Sequence, residues 1–457
     1  MHMNIDNSRV CAIGLKSDKA RVLGFLVVML CLLTAFHYAV GPSEMHQNFL
    51  NMGRHILHGE PTATPGNPML GYSILMTALG PFAVFFNAIL GFIAFWVAYE
   101  WLGLGSVRAS AIVYLALFSY AALISSWQAH GLVLSLLLLS LAVLHRFGAS
   151  GVWTGVAVGL LWGLAYNARS EVLLLFAMFM VASSVFFKLT EGRWALRHHS
   201  AALAVFAVAV VPWAIYTWSA LGTPALGTTN GWAVAYYGFG LVPGNRYGIE
   251  CKDEYAFERA NVIGESSPWS AGSNEYFRHE YFQLAKSDPA LFLQRVGWGL
   301  FTGARVGLYI PDIRETIART PANHVRLLHV YRDLKRAAGI PQLLLSTGVD
   351  ELGRLGPRPE GKGSALDIVV LVAYFSLGIV MKVAFAIVLI RTLLLIRTPN
   401  QLLATGPVTA YVGSVALCAG LVAAFILPTE RLNSILFVLA TILTHRASVV
   451  AMPRRLL

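Results

Sequence analysis

The chain has 457 residues, of which 56% are hydrophobic and only 12% are charged. Soluble domains carry about 25% charged residues, so this composition excludes a water-soluble globular protein. The net charge of +11 would suggest nucleic-acid binding in a soluble chain, but the positions of the basic residues explain it differently below. The four cysteines, Cys11, Cys31, Cys251 and Cys418, have neither metal-ligand spacing nor the pattern of a disulfide framework.

Apolar runs recur along the chain, and most are long enough to cross a bilayer as a helix. They predict an all-α polytopic membrane protein with about ten transmembrane helices and a mixed domain on the outer face. Pro81 is expected to kink the second run. The predicted spans are 22–40, 70–99, 109–126, 129–144, 152–166, 172–187, 200–219, 366–390, 404–427 and 432–450.

The distribution of Lys and Arg predicts the orientation of these spans. With both termini in the cytoplasm, the inner segments hold fourteen basic residues, and the short outer loops hold three, Arg54, Arg169 and Arg431. This asymmetry explains most of the positive charge as membrane topology, so no nucleic-acid partner is expected. The first span is interpreted as an uncleaved signal anchor.

Three regions are predicted along the chain. Residues 1–219 form an N-terminal transmembrane module with about seven spans, and its first outer loop covers 41–69. Residues 220–365 contain 16 Lys/Arg and 14 Asp/Glu and form an extracytoplasmic domain, in which 289–310 is interpreted as an interfacial or docking helix. Residues 366–457 form a C-terminal module with three spans.

The first outer loop contains a predicted amphipathic helix between Ser43, a good N-cap, and Gly59, a good stop. Its apolar stripe includes Phe49 and Met52. His55 and His58 are three residues apart, as some metal ligands are, but no further ligand is apparent. The prolines and glycines of 61–72 then require a shaped loop.

The outer arginines require anionic partners, because topology disfavours cations on that face. Glu171 and Glu430 would satisfy Arg169 and Arg431 as local ion pairs. A phosphate held at the bilayer surface is the alternative, since a guanidinium matches phosphate geometry.

The order of short motifs resembles the GT-C glycosyltransferases, in particular the dolichyl-phosphate-mannose–protein mannosyltransferases and the bacterial aminoarabinose transferases of lipid A. The family places an acidic residue, usually Asp, in the first outer loop, where this chain has only Glu44 as a carboxylate. The motifs that carry the resemblance are PGNPMLGYSILMTAL (65–79), NARSEVLLL (167–175), VVPWAIYTWSALGTPALGTTNG (210–231), NEYFRHEYFQLAKSDPALFLQRV (274–296) and FILPTERLNSILFVLATIL (425–443).

The resemblance implies an inverting membrane glycosyltransferase that moves a sugar from a polyprenyl-phosphate carrier to an acceptor outside the cytoplasm. It implies that Glu44 is the catalytic base and that Arg169, Arg431 and Arg54 bind the donor phosphate. A bacterial inner membrane is the expected location, with the lipid bilayer as partner, an acceptor that the sequence does not identify, no firm cofactor and no metal indicated. The substrate-pocket candidates are Tyr72, Glu171, Asn230, Trp232, Tyr236 and Tyr237.

Three other functions stay open on the residues alone. A transporter or flippase of lipid-linked sugars would place ionisable residues near span centres, where only Lys382 lies. A polymerase or ligase of surface polysaccharides would also combine many spans with one large outer loop. An inactive GT-C relative is the third alternative, because the family Asp is absent.

Overall fold

The computed structural model is all-helical throughout the residues that it describes, apart from turns and short connections. The all-α part of the prediction is therefore confirmed for these residues. The described residues are 7–41, 44–60, 69–104, 110–149, 151–192, 194–222, 224–228, 230–251, 253–305, 308, 365–396, 408–425 and 430–450.

Sixteen α-helices lie in the described ranges, and two short 3-10 segments, Gly80–Phe82 and Gly238–Leu241, connect some of them. The helices are α1 Asn7–Val40, α2 Glu44–His58, α3 Leu70–Leu79, α4 Ala83–Trp101, α5 Ala111–Ile124, α6 Ala129–Phe147, α7 Val152–Ala168, α8 Val172–Glu191, α9 Leu196–Leu221, α10 Gly231–Tyr237, α11 Asp253–Val262, α12 Ala271–Ser287, α13 Pro289–Arg305, α14 Ala365–Ile396, α15 Val408–Phe425 and α16 Glu430–Val450.

Membrane crossing is supported by the length and composition of these helices. Six stretches are long and apolar enough to span a bilayer, namely those in α1, α3–α4, α6, α8, α9 and α14. Four shorter apolar helices, α5, α7, α15 and α16, accompany them. The chain is thus an integral membrane protein, and these ten stretches fall on the ten predicted spans. The kink expected at Pro81 is a 3-10 turn over Gly80–Phe82, where Gly80 has a positive φ of 54°.

Helix α7 packs closely against α9 along a row of glycines. Gly155, Gly159 and Gly163 recur every four residues on the face of α7 that meets α9. A Cβ at Gly155 would lie 2.3 Å from a backbone oxygen of α9, and one at Gly159 would lie 2.4 Å from another. Small residues at this spacing let membrane helices approach backbone to backbone, where the apolar driving force of water is absent. The glycines therefore fix the position of α7 beside α9.

Chain alternation brings one set of helix ends together. One end of the bundle, which we call the site end, collects the starts of some helices and the ends of others. The helices that begin there are α3, α6, α8 and α16, and those that end there are α1, α5, α7, α9 and α15. Helices α4, α6, α8 and α14 end at the opposite end. The loops predicted to be outer therefore meet at one end.

The amphipathic helix predicted in the first loop is α2, and it packs across α3. Phe49 and Met52 are buried, whereas Asn48 and Asn51 are exposed, as the predicted stripe requires. Gly59 ends the helix with a positive φ of 70°. The predicted N-cap, Ser43, lies outside the described residues.

A small helical unit, α10 to α13, covers the site end. Its core is aromatic and includes Tyr236, Tyr237, Phe239, Phe277 and Tyr281. The last of these helices, α13, docks on α15, as expected for the 289–310 segment. The rest of the predicted 220–365 domain, 309–364, lies outside the described residues.

The docking of α13 depends on a fully buried arginine. Arg295 donates from Nη1 to the carbonyl oxygen of Ala423, at 3.3 Å, near the end of α15. Gly299 allows this approach, because a Cβ there would lie 2.1 Å from the same oxygen. A cation at a helix C-terminus also stabilises the partial negative charge of that end.

Candidate functional site

A cavity of about 430 Å³ lies at the site end, between the bundle and the segment that precedes α10. One part of its wall is polar and the other part is apolar, so it presents two kinds of surface to one ligand. The polar lining is Arg169, Ser170, Glu171, Thr228 and Asn230, and the apolar lining includes Phe49, Met69, Leu173, Leu174, Val422 and Leu432.

Arg169 and Glu171 form the charged part of this wall, and the buried His130 of another helix contacts Glu171. Arg169 ends α7 in an extended conformation, and Glu171 is the N-cap of α8, so the turn between the two helices places them side by side. Arg169 donates from Nε to Glu171 Oε1 at 2.8 Å. His130, the second residue of α6, is buried with its Nε2 2.9 Å from the same oxygen. The local ion pair between Arg169 and Glu171 that the sequence left open is therefore present.

Glu171 stays ionised in this setting. Burial alone would raise the pKa of its carboxyl, but the charge of Arg169 and the contact with His130 outweigh that effect and hold the pKa below its usual range. A carboxylate with a lowered pKa is a poor proton acceptor at neutral pH. Glu171 is therefore suited to orienting Arg169 and is unsuited to acting as a general base.

Arg169 has hydrogen-bonding capacity beyond the ion pair. Its side chain is 32% exposed on the cavity wall, and among the described residues its two terminal nitrogens have no hydrogen-bond partner. Guanidinium terminal nitrogens form paired hydrogen bonds with carboxylate or phosphate oxygens. The cavity thus presents the terminal nitrogens of Arg169 to an anionic ligand, while Glu171 fixes the guanidinium through Nε.

Arg431 adds a second cation near this wall. It lies in the first turn of α16, next to the cavity-lining Leu432, and its charge acts on the imidazole of His130, as that of Arg169 does. Among the described side chains whose charges act on His130, two are cations and one is a carboxylate. The positive ends of the α6, α8 and α16 dipoles point the same way, so the local field favours an anion.

The segment 224–228 forms another part of the wall, and the end of the bundle holds it in place. Thr228 Oγ1 lies 3.4 Å from Ser170 Oγ, in the turn that carries Arg169. Tyr166 donates its hydroxyl to the Leu226 carbonyl at 2.7 Å, and Trp213 donates Nε1 to the Gly227 carbonyl at 3.3 Å. Both donors belong to the close-packed pair α7 and α9. This part of the wall is therefore positioned by α7, which also carries Arg169, and by α9.

A second, larger cavity of about 840 Å³ lies on the other side of this segment. The two cavities share Leu226, Gly227, Thr228 and Gly231 as a common wall. The second cavity is lined with aromatic side chains and with three polar residues from one part of α12. The aromatic lining is Trp232, Tyr281, Phe282, Phe292 and Phe425, and the polar residues are Asn274, Glu275 and Arg278.

The predicted site residues are distributed unevenly around these cavities. Arg169, Glu171 and Asn230 line the first cavity, and Trp232 lines the second. Arg54 lies on the exposed face of α2 and is not among the described residues that line either cavity. Glu44 is the first residue of α2, and its side chain lies outside what the structure describes.

Tyr236 and Tyr237, expected on a substrate surface, lie instead in the aromatic core of the small helical unit. Tyr236 packs on Phe277, and Tyr237 donates its hydroxyl to Asp253 Oδ1 at 2.8 Å. Burial and the neighbouring carboxylate raise the pKa of the Tyr237 hydroxyl. Their place is structural because α10 is covered by α11 and α12.

Tyr72 is fully buried behind the first cavity. Its hydroxyl donates to the Trp127 carbonyl at 3.0 Å and accepts from Asn87 Nδ2 at 2.9 Å. Its ring touches the cavity-lining Phe49 edge-on. Tyr72 therefore links α3, α4 and the turn before α6.

We predict that Tyr72→Phe lowers the free energy of unfolding by about 1–3 kcal/mol, because buried partners lose a hydrogen bond. Thermal unfolding in detergent measures the change, and Tyr38→Phe, on a tyrosine that is 46% exposed, is the matched control. If Tyr72→Phe protein kept its stability but bound the substrate more weakly, the predicted role of Tyr72 in the substrate pocket would be supported instead.

His130 and the α12 residues were not predicted as site residues. His130 has the sequence signal of a polar outer turn, and only the fold places it against the 169–171 turn. Its Nδ1 is buried without a hydrogen-bond partner among the described residues. No described group of three or more His, Cys, Asp or Glu side chains could hold a metal ion, and His55 contacts the Glu60 carbonyl.

Comparison with known proteins adds no family to this geometry. The chain matches no protein-family model, no curated protein and no solved structure.

Proposed function

We propose that the chain is an integral membrane glycosyltransferase that uses a polyprenyl-phosphate sugar as donor. The observation that carries the proposal is the first cavity, in which the Arg169 guanidinium belongs to a polar wall beside an apolar one at the end of a membrane bundle. A polyprenyl-phosphate sugar has the matching order of parts: an apolar chain, a phosphate and a hydroxyl-rich ring.

The donor fits this cavity by chemistry. The prenyl chain would lie against the apolar wall near Leu173 and Leu174, and the phosphate would meet the terminal nitrogens of Arg169. Arg431 would add positive charge as the sugar–phosphate bond breaks and negative charge collects on the leaving phosphate. Ser170, Thr228 and Asn230 would offer hydrogen bonds to the sugar ring.

The second cavity supports a transferase over a protein that binds one lipid only. It shares Leu226, Gly227, Thr228 and Gly231 with the first cavity, so an acceptor bound there would lie next to the donor site. Inversion of the anomeric carbon is what the resemblance to the GT-C enzymes implies. Trp232 and Phe282 offer aromatic faces, and Asn274 and Glu275 offer polar groups, to a hydroxyl-bearing acceptor.

A general base must take the proton of the attacking hydroxyl. Glu171 is excluded by its ion pair with Arg169. The resemblance to GT-C enzymes assigns the role to Glu44, at the start of α2, whose next turn carries the cavity-lining Phe49. Glu44 therefore stays the proposed base.

The site end is proposed to face away from the cytoplasm of a bacterial inner membrane. The opposite end carries the exposed basic residues Arg146, Lys188 and Arg197 on described helices, as cytoplasmic ends do. Both termini would then be cytoplasmic.

The decisive experiment supplies a panel of radiolabelled polyprenyl-phosphate sugars to the purified full-length chain in lipid nanodiscs. The acceptor is a membrane extract of the expression host. We expect at least one polyprenyl-phosphate sugar to transfer its label covalently to an acceptor. The corresponding nucleotide sugars should transfer none. Binding of a donor without transfer, together with its movement across proteoliposome membranes, would favour a flippase. Neither binding nor transfer with any donor would overturn the proposal.

A further inference from the structure

The opposite end of the bundle contains a third cavity, of about 410 Å³, far along the chain from the candidate site. It lies between the first turn of α5, the last turns of α14 and the later part of α16. Its lining also combines polar and apolar side chains. The polar residues are Ser110, Arg391, Thr441, Thr444 and His445, and the apolar residues are Ile112, Val113, Leu394 and Leu395.

Arg391 makes this cavity attractive to an anion. It is exposed, no carboxylate is among the described lining residues, and it makes no ion pair with a described residue. Arg391 lies four residues before the end of the apolar stretch Ser376–Leu395, which is about 6 Å along a helix. Arg391 thus lies near one end of a helical stretch that is long and apolar enough to span a bilayer.

The hydroxyls around Arg391 are not equivalent. Thr441 and Thr444 donate to the backbone carbonyls of Phe437 and Thr441, so their protons are already used. Ser110 instead accepts from the backbone N–H of Val113 as the N-cap of α5, and its own proton has no acceptor among the described residues. Among the described hydroxyls of this lining, Ser110 is therefore the one with a proton left to donate to an anion beside Arg391.

The apolar side of the cavity continues in two directions. Leu394 is 53% exposed, so the apolar wall is open to the surface of the bundle. A narrow apolar cavity of about 50 Å³ shares Val113, Thr441 and His445 and is walled by Phe95 and Tyr120. The ligand is thus expected to carry both an anionic group and an apolar chain.

We propose that this third cavity binds the phosphate of an anionic phospholipid, with Arg391 and Ser110 as donors and an acyl chain along Leu394. A free phosphate would satisfy the donors but leave the apolar wall unused. The site is independent of the proposed transferase activity, since its residues come from the other end of the bundle. The fraction of protein with lipid bound in this cavity would depend on the lipid composition of the leaflet at this end of the bundle.

The test uses native mass spectrometry of the full-length chain in detergent, titrated with phosphatidylglycerol or phosphatidylcholine. Expected is a preference of about fivefold or more for phosphatidylglycerol, as one basic residue near an anionic head group provides. Arg391→Ala should remove the preference, and Arg391→Lys should keep most of it. Arg146→Ala, on an exposed arginine at the same end but outside the cavity, is the matched control and should change nothing.

Two results would overturn the proposal. One is an unchanged phosphatidylglycerol preference in Arg391→Ala protein. The other is displacement of the lipid by millimolar inorganic phosphate, which would make the cavity a free-anion site. Should Arg391→Ala fail to yield a monodisperse protein, Ser110→Ala replaces it, and an unchanged preference there would likewise reject the assigned donors.

Discussion

Replacing Arg169 with alanine is expected to lower the rate of sugar transfer by about 10²–10³-fold, the loss typical of removing one group that stabilises charge in a transition state. Arg169 is held by Glu171 through Nε, so its terminal nitrogens are presented to the donor without a large ordering cost. The initial rate with a labelled polyprenyl-phosphate sugar measures the effect. Arg146→Ala, an exposed arginine at the opposite end, should leave the rate unchanged.

The single alanine variant also leaves the buried Glu171 carboxylate without its ion pair, which costs stability for a reason unrelated to the donor. The double variant Arg169→Ala/Glu171→Gln removes that charge and keeps the protein comparable with the wild type. Arg169→Lys retains the charge but loses the planar fork, so we expect an intermediate rate. A double variant that folds and transfers sugar at the wild-type rate would contradict the assignment of Arg169 to the donor phosphate.

Much of the helical architecture was predictable because the bilayer imposes long apolar runs on the sequence. The ten predicted spans correspond to helical stretches of the structure. Pro81 predicted a kink, and a 3-10 turn follows α3 at that position. The alternation of Phe49 and Met52 with Asn48 and Asn51 similarly gave the buried face of α2. These features depend on local composition, which hydropathy and periodicity report directly.

The arrangement of the site was less predictable, because it depends on which helix ends are neighbours. His130 Nε2 lies 2.9 Å from Glu171 Oε1, although the two residues belong to different helices. The local sequence around either residue does not predict this contact. Tyr236 and Tyr237 show the converse case. Their aromatic composition suggested a substrate platform, but α11 and α12 cover α10 and turn both side chains into a core.

Gly159→Ala is expected to lower the free energy of unfolding by about 1–3 kcal/mol, the range for overpacking a filled interior. The new Cβ would lie 2.4 Å from the carbonyl oxygen of Ala202, which is backbone and cannot rotate away. Helices α7 and α9 must then separate. Gly159→Leu should prevent folding. The thermal midpoint in detergent, followed by loss of monodisperse protein on heating, measures the change.

Gly413→Ala is the matched control, because a Cβ at this helical glycine of α15 meets no described atom within 4 Å. It should leave the midpoint unchanged or raise it, since alanine favours the helix over glycine by up to about 1 kcal/mol. Equal midpoints for the two variants would contradict the close packing of α7 on α9.

The same substitution connects packing with the site. Helix α7 ends at Arg169, and α9 leads into the segment at Leu226, which Tyr166 of α7 holds through its hydroxyl. Separating the two helices therefore changes the position of the guanidinium relative to the segment 224–228. If the site works as proposed, Gly159→Ala protein kept folded at low temperature should bind the donor more weakly than Gly413→Ala protein. Equal donor affinity would show that the 224–228 wall takes no part in donor binding.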